Sequence, residues 1–328
     1  MARAWHLMKR PEGLPGADDF ALKEIELPEL SQGMVRVRNQ WLSVDPYMRG
    51  RMNDVKSYIP PFGLGEPMDG GAVGEVVESK ADGFAPGDLV LHMAGWRDEA
   101  VIPARSVNKL PELGAEPQRF LGVLGVTGAT AYFGLLDAAG AQEGETVFVS
   151  AAAGAVGSAV VQIAKARGMT VIGSAGGSEK CDFVRSLGAD QVIDYKAGPV
   201  LKGLAGAAPE GIDVYFDNVG GDHLDAAFAL ARNNARIAVC GMIGGYNDPT
   251  PMSFRFIMRI IAARIRLKGF IVFDYQARMD EFYREMGQLV ATGAVKPYET
   301  VVEGIDNMPD AFRGLFEGAN VGKMLVRL

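Results

Sequence analysis

VFVSAAAGAVGSAVVQIAKARG, residues 147–168, is the stretch on which the fold turns. An apolar run leads into small residues, which open directly into a helix-periodic stretch stopped at Gly168. The pattern predicts a strand over 146–152, a tight turn, and a helix from about Ala155 to Arg167. The turn fits the dinucleotide fingerprint G-x-G-x-x-G, with Ala152 in the first glycine position, then Gly154 and Gly157. Gly154 would let the backbone approach a pyrophosphate, and Gly157 would let helix and strand pack closely. The helix start offers N–H groups and partial positive charge to the phosphates. Ala153, Gly154, Ala155, Val156 and Gly157 are the expected cradle.

The same texture continues outward. Further strands are expected at 169–174, 191–195, 212–219, 235–241 and 265–272. Helices are expected at 179–188, around 223–232, and at 253–263 and 277–293. Apolar strands alternating with helices indicate a parallel, doubly wound α/β sheet. Before residue 120 the texture differs. VRVRNQWLSV (35–44), GGAVGEVVES (70–79) and GDLVLHMAGW (87–96) read as strands separated by Gly and Pro, as in a small barrel or sandwich. PPFGLGEP (60–67) reads as a loop over a site. The last residues return to short elements and end on strand-like GKMLVRL, so this tail is expected to rejoin the first domain. The expected division is 1–118 with 296–328, and 119–295.

With 328 residues, two domains are the natural expectation. Glycine numbers 42, well above the usual share of about 7%. A net charge of −7 argues against nucleic acid as the main partner. Two cysteines, Cys181 and Cys240, build neither a disulfide framework nor a cysteine-rich zinc site, which fits a reducing compartment. The charged, proline-broken start does not read as a signal peptide, and the uncharged run 121–136 is too short to span a bilayer. A cytoplasmic protein without a membrane partner is expected.

NAD sites place an acid at the end of the second strand for the ribose 2′-hydroxyl. Here that place reads Ile172-Gly173-Ser174-Ala175-Gly176-Gly177, followed by Lys180. A small neutral loop with a lysine suits a 2′-phosphate, so NADP is expected over NAD, with Ser174, Gly176 and Lys180 at the site.

Seven segments then carry a resemblance in order along the chain: LSVDPYMRGRM (42–52), GVTGATAYFGLLD (125–137), AAAGAVGSAVVQIAK (151–165), GSEKCDFVRSLGAD (177–190), FDNVGG (216–221), CGMIGGYN (240–247) and GANVGKMLVRL (318–328). The chain resembles the zinc-independent medium-chain dehydrogenase/reductases of the prostaglandin reductase and alkenal double-bond reductase group. DPYMRGRM, with SYIPP after it, looks closest to the bacterial curcumin reductase branch. The resemblance implies a GroES-like β-rich domain, a Rossmann NADP-binding domain and an active site between them. It also implies NADPH-dependent reduction of a C=C bond conjugated to a carbonyl. On matching residues it places Lys180 and Tyr195 at the 2′-phosphate. Asn218 and Gly220 fall in a strand-end turn, and Cys240, Gly241, Ile243 and Tyr246 line the nicotinamide half. Phe273 and Asn320 close over it. Thr127 stands where the group usually has proline.

Conjugate reduction needs a hydride at the β-carbon, support for the enolate oxygen, and a proton at the α-carbon. Tyr246 is the expected hydroxyl donor to the enolate, while Tyr58 and Tyr47 are the candidate proton donors. A phenol titrates near 10 and so carries its proton at neutral pH. Arg49 and Arg51 read first as surface arginines, with ordering of the loop as the alternative. Asp45 is expected to fix backbone in the DPY turn, and Cys240 reads equally well as small filler. Zinc is not expected, because Met68-Asp69-Gly70-Gly71 occupies the place of the relatives' Gly-His-Glu, and His92 reads as a structural strand residue. The apolar last strand and the resemblance together imply a homodimer. The readings left open are an NADPH quinone reductase, a non-catalytic NADPH-binding protein and, more distantly, a zinc alcohol dehydrogenase.

Overall fold

Residues 2–7 and 20–25 pair antiparallel as β1 (Ala2–Leu7) and β2 (Phe20–Ile25). The computed structural model describes all 328 residues, and the chain divides into two units. The first holds Met1–Leu121 and Glu299–Leu328; the second holds Gly122–Tyr298.

The alternation of VRVRNQWLS becomes the ten-residue β3 (Met34–Ser43), whose Val35 and Val37 are fully buried while Arg38 faces out. A single turn, α1 (Tyr47–Arg51), follows the Asp45-Pro46 step. Then come β4 (Ala72–Ser79), β5 (Leu89–His92), β6 (Glu99–Pro103) and β7 (Asn108–Lys109).

The second unit opens with α2 (Val126–Phe133), which runs on through a wider turn at Gly134–Ala138. The alternation then proceeds through β8 (Thr146–Val149), α3 (Ala155–Ala166), β9 (Thr170–Ala175), α4 (Ser178–Ser186), β10 (Gln191–Asp194) and α5 (Val200–Ala207). It continues with β11 (Ile212–Asp217), α6 (Gly221–Leu230), β12 (Ala231–Val239), α7 (Arg259–Ala262), β13 (Arg266–Gly269) and α8 (Met279–Ala291). The sheet runs β10-β9-β8-β11-β12-β13, every pair parallel, so the winding reverses between β8 and β11. Both central strands are buried on both faces, which is why each reads as a continuous apolar run.

The chain then re-enters the first unit as β14 (Glu299–Glu303), α9 (Met308–Glu317) and β15 (Lys323–Arg327). β15 pairs antiparallel with β3, Leu325 opposite Ser43, and the first unit's main sheet runs β14-β15-β3-β4-β5-β7. Its core centres on Trp96, wholly buried, stacked on Phe20 and edge-on to Phe312. The expected fold class, a β-rich unit plus a doubly wound Rossmann unit, is borne out. No helix is long and apolar enough to cross a membrane.

Two expected elements are corrected. The predicted helix 253–263 survives only as α7, because the buried carboxylate of Asp225 accepts the Phe256 amide at 2.9 Å and Arg255 Nε at 2.9 Å. Those bonds hold the backbone in a bend, and Phe254 and Phe256 pack on the core from there. The strand predicted at 265–272 stops at Gly269, and Val272–Arg278 coils into a short 3-10 turn.

All three histidines are buried, and two of them are pushed far from their ordinary range. His92 on β5 accepts the Ala94 amide at Nδ1, while its buried Nε2 has no hydrogen-bond partner. His223 on α6 stacks on Phe148 and bonds Ser174 Oγ at 2.9 Å. Burial pushes each ring down to about 4. The unfolded rings bind protons near pH 6.5 and the folded rings refuse them until about pH 4. Stability from both is therefore present above pH 6.5 and lost as pH falls through that window, by up to about 3 kcal/mol per ring. The urea midpoint is expected to fall between pH 6.5 and 4, and His223→Gln should flatten that slope; an unchanged slope would remove His223 as a cause. A second test concerns α2. A Cβ at Gly128 would lie 1.8 Å from the Val123 carbonyl oxygen. Gly128→Ala should therefore cost about 1–3 kcal/mol in urea unfolding, and a loss near zero would show that this turn gives way freely.

Candidate cofactor and active site

β8 delivers Ser150 to the point where the sheet reverses, and the turn to α3 follows at once. The left-handed residue of that turn is Ala151, at φ 47°, not Ala152 in the expected first-glycine position. Ala152 is instead wholly buried, its amide donating to the Ser174 carbonyl at 2.9 Å. Gly157 sits on the turn: a Cβ there would come 2.2 Å from the Ala151 carbonyl oxygen. A Cβ on Gly154 would come 3.2 Å from the same oxygen. Helix α3 begins at Gly154 with no side-chain cap, so the first-turn amides of Ala155, Val156 and Gly157 take no bond from a capping side chain. Ala153 is buried beside them. An uncapped helix start, on a turn that closes this tightly because residues 154 and 157 lack side chains, fits a dinucleotide pyrophosphate.

At the end of β9 the loop turns through Gly176 and Gly177, with Gly177 at φ 91°. A Cβ on Gly176 would meet the Tyr195 hydroxyl at 2.6 Å and Lys196 Cε at 3.1 Å. Burial first, and then the neighbouring Lys196 charge, lowers the Lys180 ammonium below the ordinary lysine range. Two lysines thus converge on one glycine-floored loop. Lys196 was not singled out from the sequence, although it directly follows Tyr195 in DYK. Asp194 also reaches this loop, but its Oδ1 is committed to the Gly177 and Lys196 amides, both at 2.9 Å. Ser174, expected to touch cofactor, is wholly buried with its hydroxyl on His223. It supports the loop from beneath. Tyr195 in turn sets its ring edge against His223.

Across the reversal point, Asn218 donates its amide to Ser150 Oγ at 2.9 Å and its Nδ2 to the Ser150 carbonyl at 2.8 Å. Gly220 follows at φ 72°, and a Cβ there would crowd Met242 and Met252. Beyond β12, Cys240 and Gly241 both donate backbone amides to the Asp217 carbonyl. Ile243 donates to the Asn218 carbonyl at 3.2 Å. The Tyr246 hydroxyl accepts the Met242 amide at 3.3 Å and lies over Gly241. Burial, and then Asp217, pushes the Cys240 thiol up to about 12, which makes it a packing group rather than a nucleophile. Phe273 lies in the 3-10 turn after β13 and is 47% exposed.

In the first unit the DPYMRGR segment is anchored by buried charge. Lys323, 2% exposed, donates to the Val44 and Met324 carbonyls and pairs with Asp45 at 3.1 Å. Ser43 donates its hydroxyl to the other Asp45 oxygen. Arg49 and Arg51, read first as surface residues, are both buried. Arg49 donates to Asn53 and to the carbonyls of Pro11 and Gly13. Arg51 donates to the Pro60 carbonyl at 2.9 Å and to Asp69 at 3.0 Å, and lies 3.9 Å from the Phe62 ring centroid. It therefore orders the 57–62 loop that carries Tyr58. Tyr58 is 55% exposed, whereas Tyr47 is half-buried, and burial followed by Asp45 raises its phenol well above the ordinary range. The Asn320 amide donates to the Gly322 carbonyl, closing its own turn before β15. Thr127 donates its hydroxyl to the Gly122 carbonyl at 2.9 Å, a local bond that proline could not make.

Residues 3–110 match the family model described as the N-terminal domain of oxidoreductase, and residues 155–292 match one described as zinc-binding dehydrogenase. No three His, Cys, Asp or Glu side chains come together as a metal site would need. The chain is 43% identical to the NADPH-dependent curcumin reductase of Escherichia coli over 99% of its length and 96% of that protein. It is 41% identical to prostaglandin reductase 1 of Bos taurus, over 99% of both chains. The crystal structure of CurA from Vibrio vulnificus in complex with NADPH superposes with a TM-score of 0.94 at 43% identity, covering 99% of this chain and 98% of that one. With full-length identity at this level, a dinucleotide turn and a doubly wound sheet, the chain belongs to the medium-chain reductase family of the curcumin and prostaglandin reductases.

Proposed function

We propose that this protein is an NADPH-dependent reductase of the C=C bond in α,β-unsaturated ketones and aldehydes. The observation that carries the cofactor half is the pair Lys180 and Lys196 around Gly176, beside an uncapped α3. Two cations suit a 2′-phosphate, and the Asp194 carboxylate that reaches this loop commits its Oδ1 to the Gly177 and Lys196 amides. Family membership supports the reaction half: the relatives include an NADPH-dependent curcumin reductase and a 2-alkenal reductase of Nicotiana tabacum.

In this reading Ala153 to Gly157 bind the pyrophosphate, while Tyr195 packs the adenosine end. Asn218, Gly220, Cys240, Gly241 and Ile243 face the nicotinamide half, with Phe273 and Asn320 as its covers. NADPH supplies the hydride for the β-carbon. The chain's own part is to support an enolate oxygen with a hydroxyl, assigned to Tyr246, and to hold a proton for the α-carbon. Tyr58 is favoured for the proton over Tyr47. Tyr58 is solvent-accessible on a loop clamped by Arg51, whereas burial, and then Asp45, raises the Tyr47 phenol well above its ordinary range. The second unit is the cofactor domain and the first the substrate domain. We further infer a homodimer through β13, the outermost strand of the sheet, whose four residues are all exposed. Both cysteines are unpaired, which supports a reducing, cytoplasmic setting.

The test of function is NADPH consumption with a panel of enals, enones, diarylheptanoids and quinones. Turnover should favour the enals and enones, and turnover of quinones alone would overturn the reading. Tyr58→Phe should lower enone turnover at least about tenfold with NADPH affinity unchanged, and full activity would remove Tyr58 as proton donor. Lys180→Ala and Lys196→Ala should each weaken NADPH about tenfold while leaving NADH within about twofold. Equal losses for the two cofactors would sink the 2′-phosphate assignment.

A further inference from the structure

Asp217 ends β11 directly beneath the reversal point of the sheet, and it is wholly buried. Its Oδ1 accepts the Tyr215 hydroxyl at 2.6 Å, the Gly220 amide at 2.8 Å and the Val219 amide at 2.9 Å, with Ser150 Oγ at 3.5 Å. Its backbone carbonyl accepts the amides of Cys240 at 2.9 Å and Gly241 at 3.1 Å. One residue therefore holds both turns at the end of the sheet, 218–220 through its side chain and 240–241 through its backbone. The turns are then joined to each other. Ile243 donates to the Asn218 carbonyl, and Gly244 donates to the Val219 carbonyl at 3.1 Å. Gly220 stands at φ 72°, a conformation that favours glycine, and a Cβ there would lie 3.1 Å from Met242 Cβ and 3.0 Å from Met252 Sδ.

The second carboxylate oxygen, Oδ2, is buried and has no hydrogen-bond partner. Leaving such an atom unsatisfied costs stability, and closing a turn does not require it. What the carboxylate adds is one oxygen on which three close donors from two directions converge, a stronger acceptor than a neutral amide. That makes the placement of the 218–220 turn stiff against the strand.

We propose that Asp217 is a positioning residue for hydride transfer, fixing the two nicotinamide-facing turns through its Oδ1 and its backbone carbonyl. The proposal rests on the NADPH-reductase reading above and concerns residues that do not themselves touch the reacting atoms. It separates the two halves of the cofactor site. The adenosine end, built from Gly176, Tyr195, Lys180 and Lys196, hangs on β9 and β10 and makes no bond to the Asp217 side chain.

The experiment compares intact wild-type enzyme with Asp217→Asn, which preserves shape but weakens the shared acceptor. Three quantities are read: the single-turnover rate of enone reduction by NADPH, the fluorescence of bound NADPH, and the affinity for 2′,5′-ADP, which engages only the adenosine end. The variant should lose at least about tenfold in single-turnover rate and shift its bound-NADPH fluorescence toward that of free cofactor, with 2′,5′-ADP affinity within about twofold. Tyr215→Phe, which removes one donor to Oδ1, should lose less. It carries the same test should the asparagine variant fail to fold. A single-turnover rate within twofold of wild type overturns the proposal. So does an equal loss of 2′,5′-ADP binding, which would mark general loosening instead. A wild-type enzyme that binds NADPH but reduces no enone would sink the reaction reading alone, and the fluorescence arm would still decide the placement of the nicotinamide end.

Discussion

The second unit depends on one close approach, that of Gly157 on α3 to the backbone of Ala151. A Cβ at 157 would lie 2.2 Å from a carbonyl oxygen, far inside van der Waals contact, so the helix can sit where it does only with glycine there. That contact sets the start of α3 over the end of β8 and aims its uncapped amides at the reversal point of the sheet. Neighbouring contacts build on it. Ala152, one residue on, packs against Gly173 of β9, where a Cβ would come 3.0 Å from the Ala152 Cβ and 2.6 Å from Val184. Three positions further, Gly176 leaves room for Tyr195 and Lys196. Small residues thus propagate a single spacing from the start of α3 to the loop after β9. This is the physical content of the high glycine count in this unit.

Features set by local chemistry were legible in the sequence, and features set by distant partners were not. The strand-turn-helix at 147–168 is local: apolar run, small residues, periodic helix. The doubly wound class followed from its repetition. The fingerprint points to Ala152 because it reports residue types, whereas the positive φ falls one residue earlier, at Ala151. The helix expected at 253–263 has the right periodicity, but it loses to Asp225, a buried acid about thirty residues away that captures the Phe256 amide. Ser174 looked like a polar group at a binding loop until His223, nearly fifty residues on, took its hydroxyl. Lys196 became visible only when β10 was laid beside β9, because its relation to Gly176 and Lys180 is one of sheet register.

Buried charge organises the first unit in a different way. Lys323 and Asp45 pay a desolvation cost that ion pairing alone seldom recovers, so the arrangement is better understood as a device for geometry than for stability. The ammonium spends its donors on two backbone carbonyls and on Asp45, and the serine two residues earlier completes the carboxylate. Arg51 follows the same logic with Asp69 and the Pro60 carbonyl. The segment between β3 and the 57–62 loop is thereby held by side chains at both ends, although it contains only one turn of helix.

That anchoring explains why the tyrosines of this segment are not equivalent. Tyr47 lies inside the charged framework, against Asp45, where ionising a phenol would add a second negative charge in a poorly solvated place. Its hydroxyl is suited to hold a hydrogen bond and unsuited to release a proton. Tyr58 stands on the loop that Arg51 fixes, so its backbone is ordered while its side chain keeps more than half of its exposure. Under the proposed reaction a proton donor has to regain its proton in each cycle, and that favours the phenol with access to water. The sequence offers both as equal aromatic candidates in neighbouring motifs; burial separates them, and burial here follows from where the charged groups of the same segment find their partners.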